Sequence, residues 1–297
     1  MKHIYIPIIP LLFVLIFINK THGEDEFPVL KGPYLGQQPP GLTAKPFAPG
    51  IVNTEEWGDA GVFSPDMKKF HVTRWKHSSD AKEPVPVTFK MVGDRWQKTV
   101  EPVGTRWPSH SPDGKTLHYG AKYKVRTADG WSEMKSLGPA FEALEIMSLN
   151  ASAKGTLVLD ERGSSAGDGI IRYSKLINGK WEDPKPFPKQ INTGTWNAHP
   201  YIAPDESYMM WDGERDTGFG SSDLYISFRQ KDGSFGEAIN LGNKVNTEAE
   251  EGGPQITPDG KYLLFNRMVP DAKNKGSYQS DLYWIDAQII ENLRPKE

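Results

Sequence analysis

One turn recurs along this chain and limits what it can fold into. TPDGKYLLF begins at Thr257, and the same order of residue types reads SPDMKKFHV from Ser64, SPDGKTLHY from Ser111, APDESYMMW from Ala203 and, degraded, ASAKGTLVL from Ala151. Proline at the second position presets φ, aspartate caps its own backbone, and glycine at the fourth accepts φ > 0, so each copy folds two strands back on one another. The turn prolines Pro65 and Pro112 lie 47 residues apart and Pro204 and Pro258 lie 54 apart. A four-stranded unit of that length is the size of one propeller blade.

The rest of each unit keeps its order. A third strand runs into Gly93-Asp94, Asp129-Gly130, Asn178-Gly179 or Asp232-Gly233, and a fourth opens on Trp96, Trp131, Trp181 or Phe235. Such dipeptides between apolar runs are strong hairpin signals. One large aromatic per unit at a fixed place is expected to pack between neighbouring blades. Units close on Asn-Thr at Asn192-Thr193 and Asn246-Thr247, whereas the fifth unit stops after SDLYWIDA, without a fourth strand or an Asn-Thr end. The missing piece is an orphan at the other terminus, KPFAPGIVNT from Lys45 to Thr54. The expected fold is therefore all-β: a five-bladed β-propeller closed by an N-terminal strand that completes the last blade, which removes the exposed sheet edge. The alternative is a six-bladed ring in which PYLGQQPPG contributes strands, but its prolines oppose that.

SPDGKTLHY, TPDGKYLLF, SDLY at Ser222 and again at Ser280, and the Asn-Thr ends resemble the TolB-type, WD-like propeller repeat over about Lys45 to Ala287. The resemblance implies a periplasmic or secreted protein and an interaction module. Members include the propeller of the Tol envelope system and propellers fused to peptidoglycan-binding domains. Glu24 to Leu42 is too short for the separate α/β domain that TolB carries.

Residues 1–23 join Lys2 and His3 to an apolar run, Ile4 to Ile18, and then NKTHG, the layout of a secretory signal cut after Gly23; an uncleaved anchor is the alternative. The expected organisation is signal 1–23, extended leader 24–44, propeller 45–290 and tail 291–297. Cleavage takes the formal net charge from −3 to −5, which disfavours nucleic acid as a partner, and the absence of cysteine removes disulfides and thiolate chemistry. The expected mature protein is a monomer, periplasmic or secreted, without a membrane span.

In a propeller the start of each innermost strand faces the central channel. Counting five or six residues back from each turn gives Asp59, Arg106, Glu145 and Glu251, with His199 one position further in. Carboxylates facing a cation and a histidine suit glycoside hydrolysis or elimination, or simple ligand binding. No nucleophile elbow, P-loop or dinucleotide fingerprint is present, and no cofactor is expected. DGERDTGFGSSD from Asp212 has oxygens at calcium-loop positions but Thr217 where the tight glycine belongs, so it reads as a connection between strands and no metal is expected. Arg74, Arg162, Arg215 and Arg267 recur at one blade corner and are expected to pair with carboxylates such as Asp160, Asp212 or Asp223. Together these features point to a binding or scaffold module for an envelope protein or glycan. The competing reading is a carbohydrate-active enzyme, a glycoside hydrolase or polysaccharide lyase, working in the channel mouth.

Overall fold

The computed structural model describes residues 27–54, 57–77, 82–102, 108–162, 169–271, 276 and 278–296. Its strands form five antiparallel sheets, each with the first strand innermost. Blade 1 is Trp57–Phe63, Lys69–His77, Lys82–Val92 and Arg95–Val100; blade 2 is Ser109–His110, Thr116–Tyr119, Lys122–Thr127 and Gly130–Trp131. Blade 3 is Leu149–Ala151, Thr156–Glu161, Ile170–Ile177 and Lys180–Trp181, and blade 4 is Trp196–Ile202, Tyr208–Glu214, Asp223–Phe228 and Ile239–Asn240. Blade 5 takes Glu250–Ile256, Tyr262–Pro270 and Tyr278–Asp286 from the C-terminal end, and its outer strand is Lys45–Pro46, with Lys45 opposite Trp284 and Pro46 opposite Tyr283. The ring closes as the orphan strand requires, with five blades.

The leader adds a fifth strand to blade 1 in place of a sixth blade: Leu30 lies opposite Trp96 and Lys31 opposite Arg95. Tyr34 and Leu35 are buried in the core shared by blades 5 and 1, and the Tyr34 hydroxyl donates to Asp259 in the blade 5 turn. The leader has no core of its own because it uses that of the closing blade.

The recurring turn is built alike in blades 1, 2 and 5. In TPDG, Thr257 Oγ1 donates to Asp259 Oδ1 at 2.7 Å and accepts the Tyr262 N–H at 3.1 Å; Ser64 and Ser111 do the same with their own aspartates and strands. The fourth position has φ > 0 in four copies, at Met67, Gly114, Glu206 and Gly260, and in the degraded copy the left-handed residue is the fifth, Gly155. Glu206 tolerates that conformation because Ser152 and Arg229 both bind its carboxylate at 2.7 Å.

The Asn-Thr ends have a geometric cause. Asn53 donates to the Leu282 carbonyl and accepts the Leu282 N–H, both at 2.8 Å; Asn192 does this with Ile171 and Asn246 with Leu224. Each side-chain amide pairs with the third strand of its blade as a backbone peptide would, which pins the incoming chain to that sheet.

Four buried apolar clusters straddle blade junctions. Phe47, Phe70, Phe89 and Trp284 lie between blades 5 and 1; Met210, Leu224, Phe265 and Ile285 between 4 and 5; Val158, Ile171, Trp211 and Tyr225 between 3 and 4; and Phe141, Leu149, Leu157 and Leu159 between 2 and 3. Trp96, Trp181 and Phe235 join these clusters, which is the expected role of the aromatic that opens each fourth strand. Trp131 instead lies under the Arg126 guanidinium, 5.2 Å from its centroid. Among the described residues the junction of blades 1 and 2 has no such cluster and carries His71 and His110.

Candidate functional site

The inner strands enclose a cavity of about 920 Å³ lined by residues of all five blades. It runs from the starts of the inner strands, where Trp196, His199, Glu250, Met268 and Ser280 lie, to the recurring turns, where Pro65, Pro112, Pro204 and Pro258 lie. Inner strands converge on the axis, so their first residues form a mouth.

His199 is the centre of that mouth. It sits in a bulge, the register shifting between Ala198 and Tyr201, and its φ is 47°, in the left-handed region. Blade 5 has the same bulge between Gly252 and Gln255, but there Gly253, with φ 63°, occupies the position. A histidine where glycine would be free of strain costs about 1 kcal/mol. Its surroundings fix it: the backbone N–H donates to Asp160 at 2.9 Å and Nδ1 donates to Asp212 at 2.9 Å.

Asp212 is buried and also accepts Trp196 Nε1 at 3.2 Å and the Gly253 N–H at 2.9 Å. Asp160 is buried too and accepts the Met147 and Ser148 N–H groups at 3.0 and 2.7 Å. Each aspartate lies nine residues after its turn begins and reaches the bulge of the next blade. Burial pushes the Asp160 carboxyl above the usual carboxylate range, opposed by His199 and by the backbone donors. Glu250, half-buried at the mouth, is also raised, first by burial and then by the charges of Asp212 and Glu214, with His199 opposing.

The residues expected in the ring separate in the structure. His199 lines the channel. Glu251 is fully buried away from it, held by Arg267 Nε at 2.7 Å, Thr247 Oγ1 at 2.6 Å and the Thr247 N–H at 3.0 Å. Glu145 lies exposed on the segment that follows the short helix Pro139–Glu142, before the blade 3 inner strand begins, and pairs with Arg162 at 3.4 Å. Arg106 and the Asp59 side chain lie outside the described residues.

Trp196, Asp212 and Glu250 were not in the expected set. Side chains alternate along a strand, so counting to Glu251 instead of Glu250 selects the opposite face. The bulge inserts one residue and shifts the count again. A sequence signal for the latch does exist: Asp160, Asp212 and Asn266 stand at the same offset from their turns.

Of the corner arginines, Arg162 and Arg267 pair with carboxylates as expected, but with Glu145 and Glu251 and not with the three aspartates. Arg267 pairs with Glu251 and donates to the Val245 carbonyl at 2.7 Å, while Arg215 donates to the Ile191 carbonyl at 3.1 Å and lies 4.3 Å from the Tyr225 ring centroid. Asp160, Asp212 and Asp223 are instead satisfied by backbone N–H groups and by the side chains of Trp196, His199 and Asn240. Asp223 accepts the Phe219 and Gly220 N–H groups and Asn240 Nδ2, which ties down the Asp212–Asp223 connection. Among the described residues no three His, Cys, Asp or Glu side chains are grouped to hold a metal ion.

No family model matches the sequence, and no curated protein does. Among solved structures the chain is similar to TolB from Acinetobacter baumannii, with 15% identity and a TM-score of 0.44 over 78% of this chain and 57% of that one, so it spans little more than half of TolB's length. It is similar to an α-L-arabinofuranosidase from Podospora anserina, with 12% identity and a TM-score of 0.45 over 82% of this chain and 97% of that one. It is also similar to an endo-arabinase from Bacteroides thetaiotaomicron, with 12% identity and a TM-score of 0.42 over 78% and 94%. The described residues form a β-propeller of five blades.

Proposed function

We propose that the protein is an exported, monomeric propeller of the TolB-like type that binds a glycan in the cell envelope through the mouth of its central channel. The observation that carries this reading is the open cavity of about 920 Å³, whose mouth sets the Trp196 indole beside the polar groups of His199, Asp212 and Glu250. A concave site of that volume suits a ligand of a few sugar rings, whereas a protein partner needs a broad surface. Aromatic faces and a few fixed polar groups are what sugar recognition uses. Export rests on the signal-like residues 1–23; among the described residues no helix is long and apolar enough to cross a membrane. A glycan array run beside a pull-down from envelope extract tests the reading. A sugar hit that Trp196→Ala abolishes is expected, and a protein partner with no sugar hit would contradict it.

One observation favours a second reading, a glycoside hydrolase. Glu250, with a carboxyl held above its usual range, has the character of a general acid, and Asp212 orients His199 beside it. Release of reducing sugar from a bound oligosaccharide, abolished by Glu250→Gln, would establish it; binding without product would exclude it.

A further inference from the structure

We propose that the channel mouth recognises a primary ammonium group, as carried by an N-unsubstituted amino sugar, with the cation on the Glu250 carboxylate and a neighbouring ligand hydroxyl on Ser280. The inference rests on the mouth being a ligand site and adds the ligand's charge. Glu250 lies opposite Met268 and Met268 opposite Ser280, so the three side chains share one row and one face of blade 5. Two strand spacings separate the ends of that row, roughly 10 Å, which a sugar ring and its substituents span. All three residues line the cavity, and Gly252 and Gly253 remove side chains from the wall beside them.

Two independent observations point to such a ligand. The first is charge without compensation among the described residues. Asp212, Glu214 and Glu250 bring three carboxylates together, and Glu250 makes no ion pair or hydrogen bond among the described residues. The nearest arginine in sequence, Arg267, is turned away onto Glu251 and the Val245 carbonyl. Among the described residues His199 is the group whose charge, when protonated, opposes the rise of Glu250, and it is bound through Nδ1 to Asp212. Among the described residues the single arginine lining the cavity, Arg294, lies at the far end and is paired with Glu291. The second observation is Ser280, which is 1% exposed with no hydrogen-bond partner for its hydroxyl among the described residues, although it lines the same cavity. A buried hydroxyl left unpaired carries a desolvation cost that a ligand oxygen or nitrogen relieves. An anionic sugar would face repulsion at this mouth, and a neutral one would leave Glu250 unmatched.

Calorimetry on the full mature chain at neutral pH, with a glucosamine trimer, its N-acetylated counterpart and spermidine as probes, tests the proposal. The glucosamine trimer is expected to bind at least about tenfold more tightly than the N-acetylated trimer, and Glu250→Gln to erase that difference. Ser280→Ala is expected to weaken the trimer and spare spermidine. Both variants change few atoms, and their melting curves establish that they fold. Spermidine binding as tightly as the trimer, with both lost in Glu250→Gln, would uphold the ammonium site and identify a free amine as its source. Equal binding of the two trimers, unaffected by Glu250→Gln, would overturn the ammonium while leaving the glycan reading intact. No binding of any of the three probes would overturn the proposal, and the glycan array then decides the broader reading separately.

Discussion

The carboxylate of Asp160 in blade 3 accepts the backbone N–H of His199 in blade 4 at 2.9 Å. Asp212 repeats the reach one blade further on, accepting the Gly253 N–H of blade 5 at the same distance. These buried carboxylates latch blade 3 to the inner strand of blade 4 and blade 4 to that of blade 5 and, through Asp212, hold the His199 ring at the channel mouth. Blade assembly and site geometry thus depend on the same two residues.

Replacing Asp160 with alanine leaves three part-buried N–H groups without their acceptor. A loss of about 3–5 kcal/mol is expected, read as a lower urea midpoint. Arg162→Ala, which removes an exposed pair with Glu145, is expected to stay within about 0.5 kcal/mol.

His199→Gly exchanges one effect for another. Relief of the left-handed backbone gains about 1 kcal/mol, and the lost hydrogen bond to Asp212 costs about the same. Little change in stability is expected, with binding at the mouth weakened. His199→Val, β-branched at φ 47°, is expected to destabilise by about 2 kcal/mol or more. Thermal melts and a binding titration on both variants separate the two effects.

Closure has its own test. Asn53→Ala removes the two-point contact with Leu282 and is expected to cost about 1–3 kcal/mol. Deleting 24–54 also removes Tyr34, Leu35 and Phe47 from the core and opens two sheet edges, so aggregation is expected on gel filtration.

Acid should act on the histidines before the carboxylates. Burial lowers His71 and His118 to about 4 from the ordinary 6.5. Because their folded values are depressed, the stability they contribute is present above pH 6.5 and is lost as the pH falls toward 4, by up to about 3 kcal/mol each. Glu250 has the opposite sign: its raised carboxyl favours the fold at low pH and opposes it once ionised. Glu250→Gln is therefore expected to raise the melting temperature of the unliganded protein at pH 7 and to have no such effect at pH 3. Denaturation midpoints from pH 3 to 8 on His118→Leu and Glu250→Gln check both signs.

The ring was legible because its signals are local. Pro-Asp-Gly, Asn-Gly and Asp-Gly dictate turns whatever surrounds them, and an unpaired KPFAPGIVNT beside a C-terminal blade short of one strand favours closure by five blades over six. The leader's role was not legible, since Tyr34 and Leu35 bury themselves in a core made by distant residues. Of the expected ring residues whose side chains are described, His199 alone lines the mouth. Whether Glu250 or Glu251 faces the channel depends on strand parity and on a bulge, and both follow from pairing with Arg267 and Met268, sixteen and more residues away.

The central claim is that a glycan sits where the inner strands begin. The most direct measurement is amide hydrogen exchange with and without the oligosaccharide that the array identifies. Protection of 196–202 and 250–256, with the outer strands unchanged, is the expected result. Protection confined to the recurring turns around Pro112 and Pro258, or to the outer strands, would contradict it.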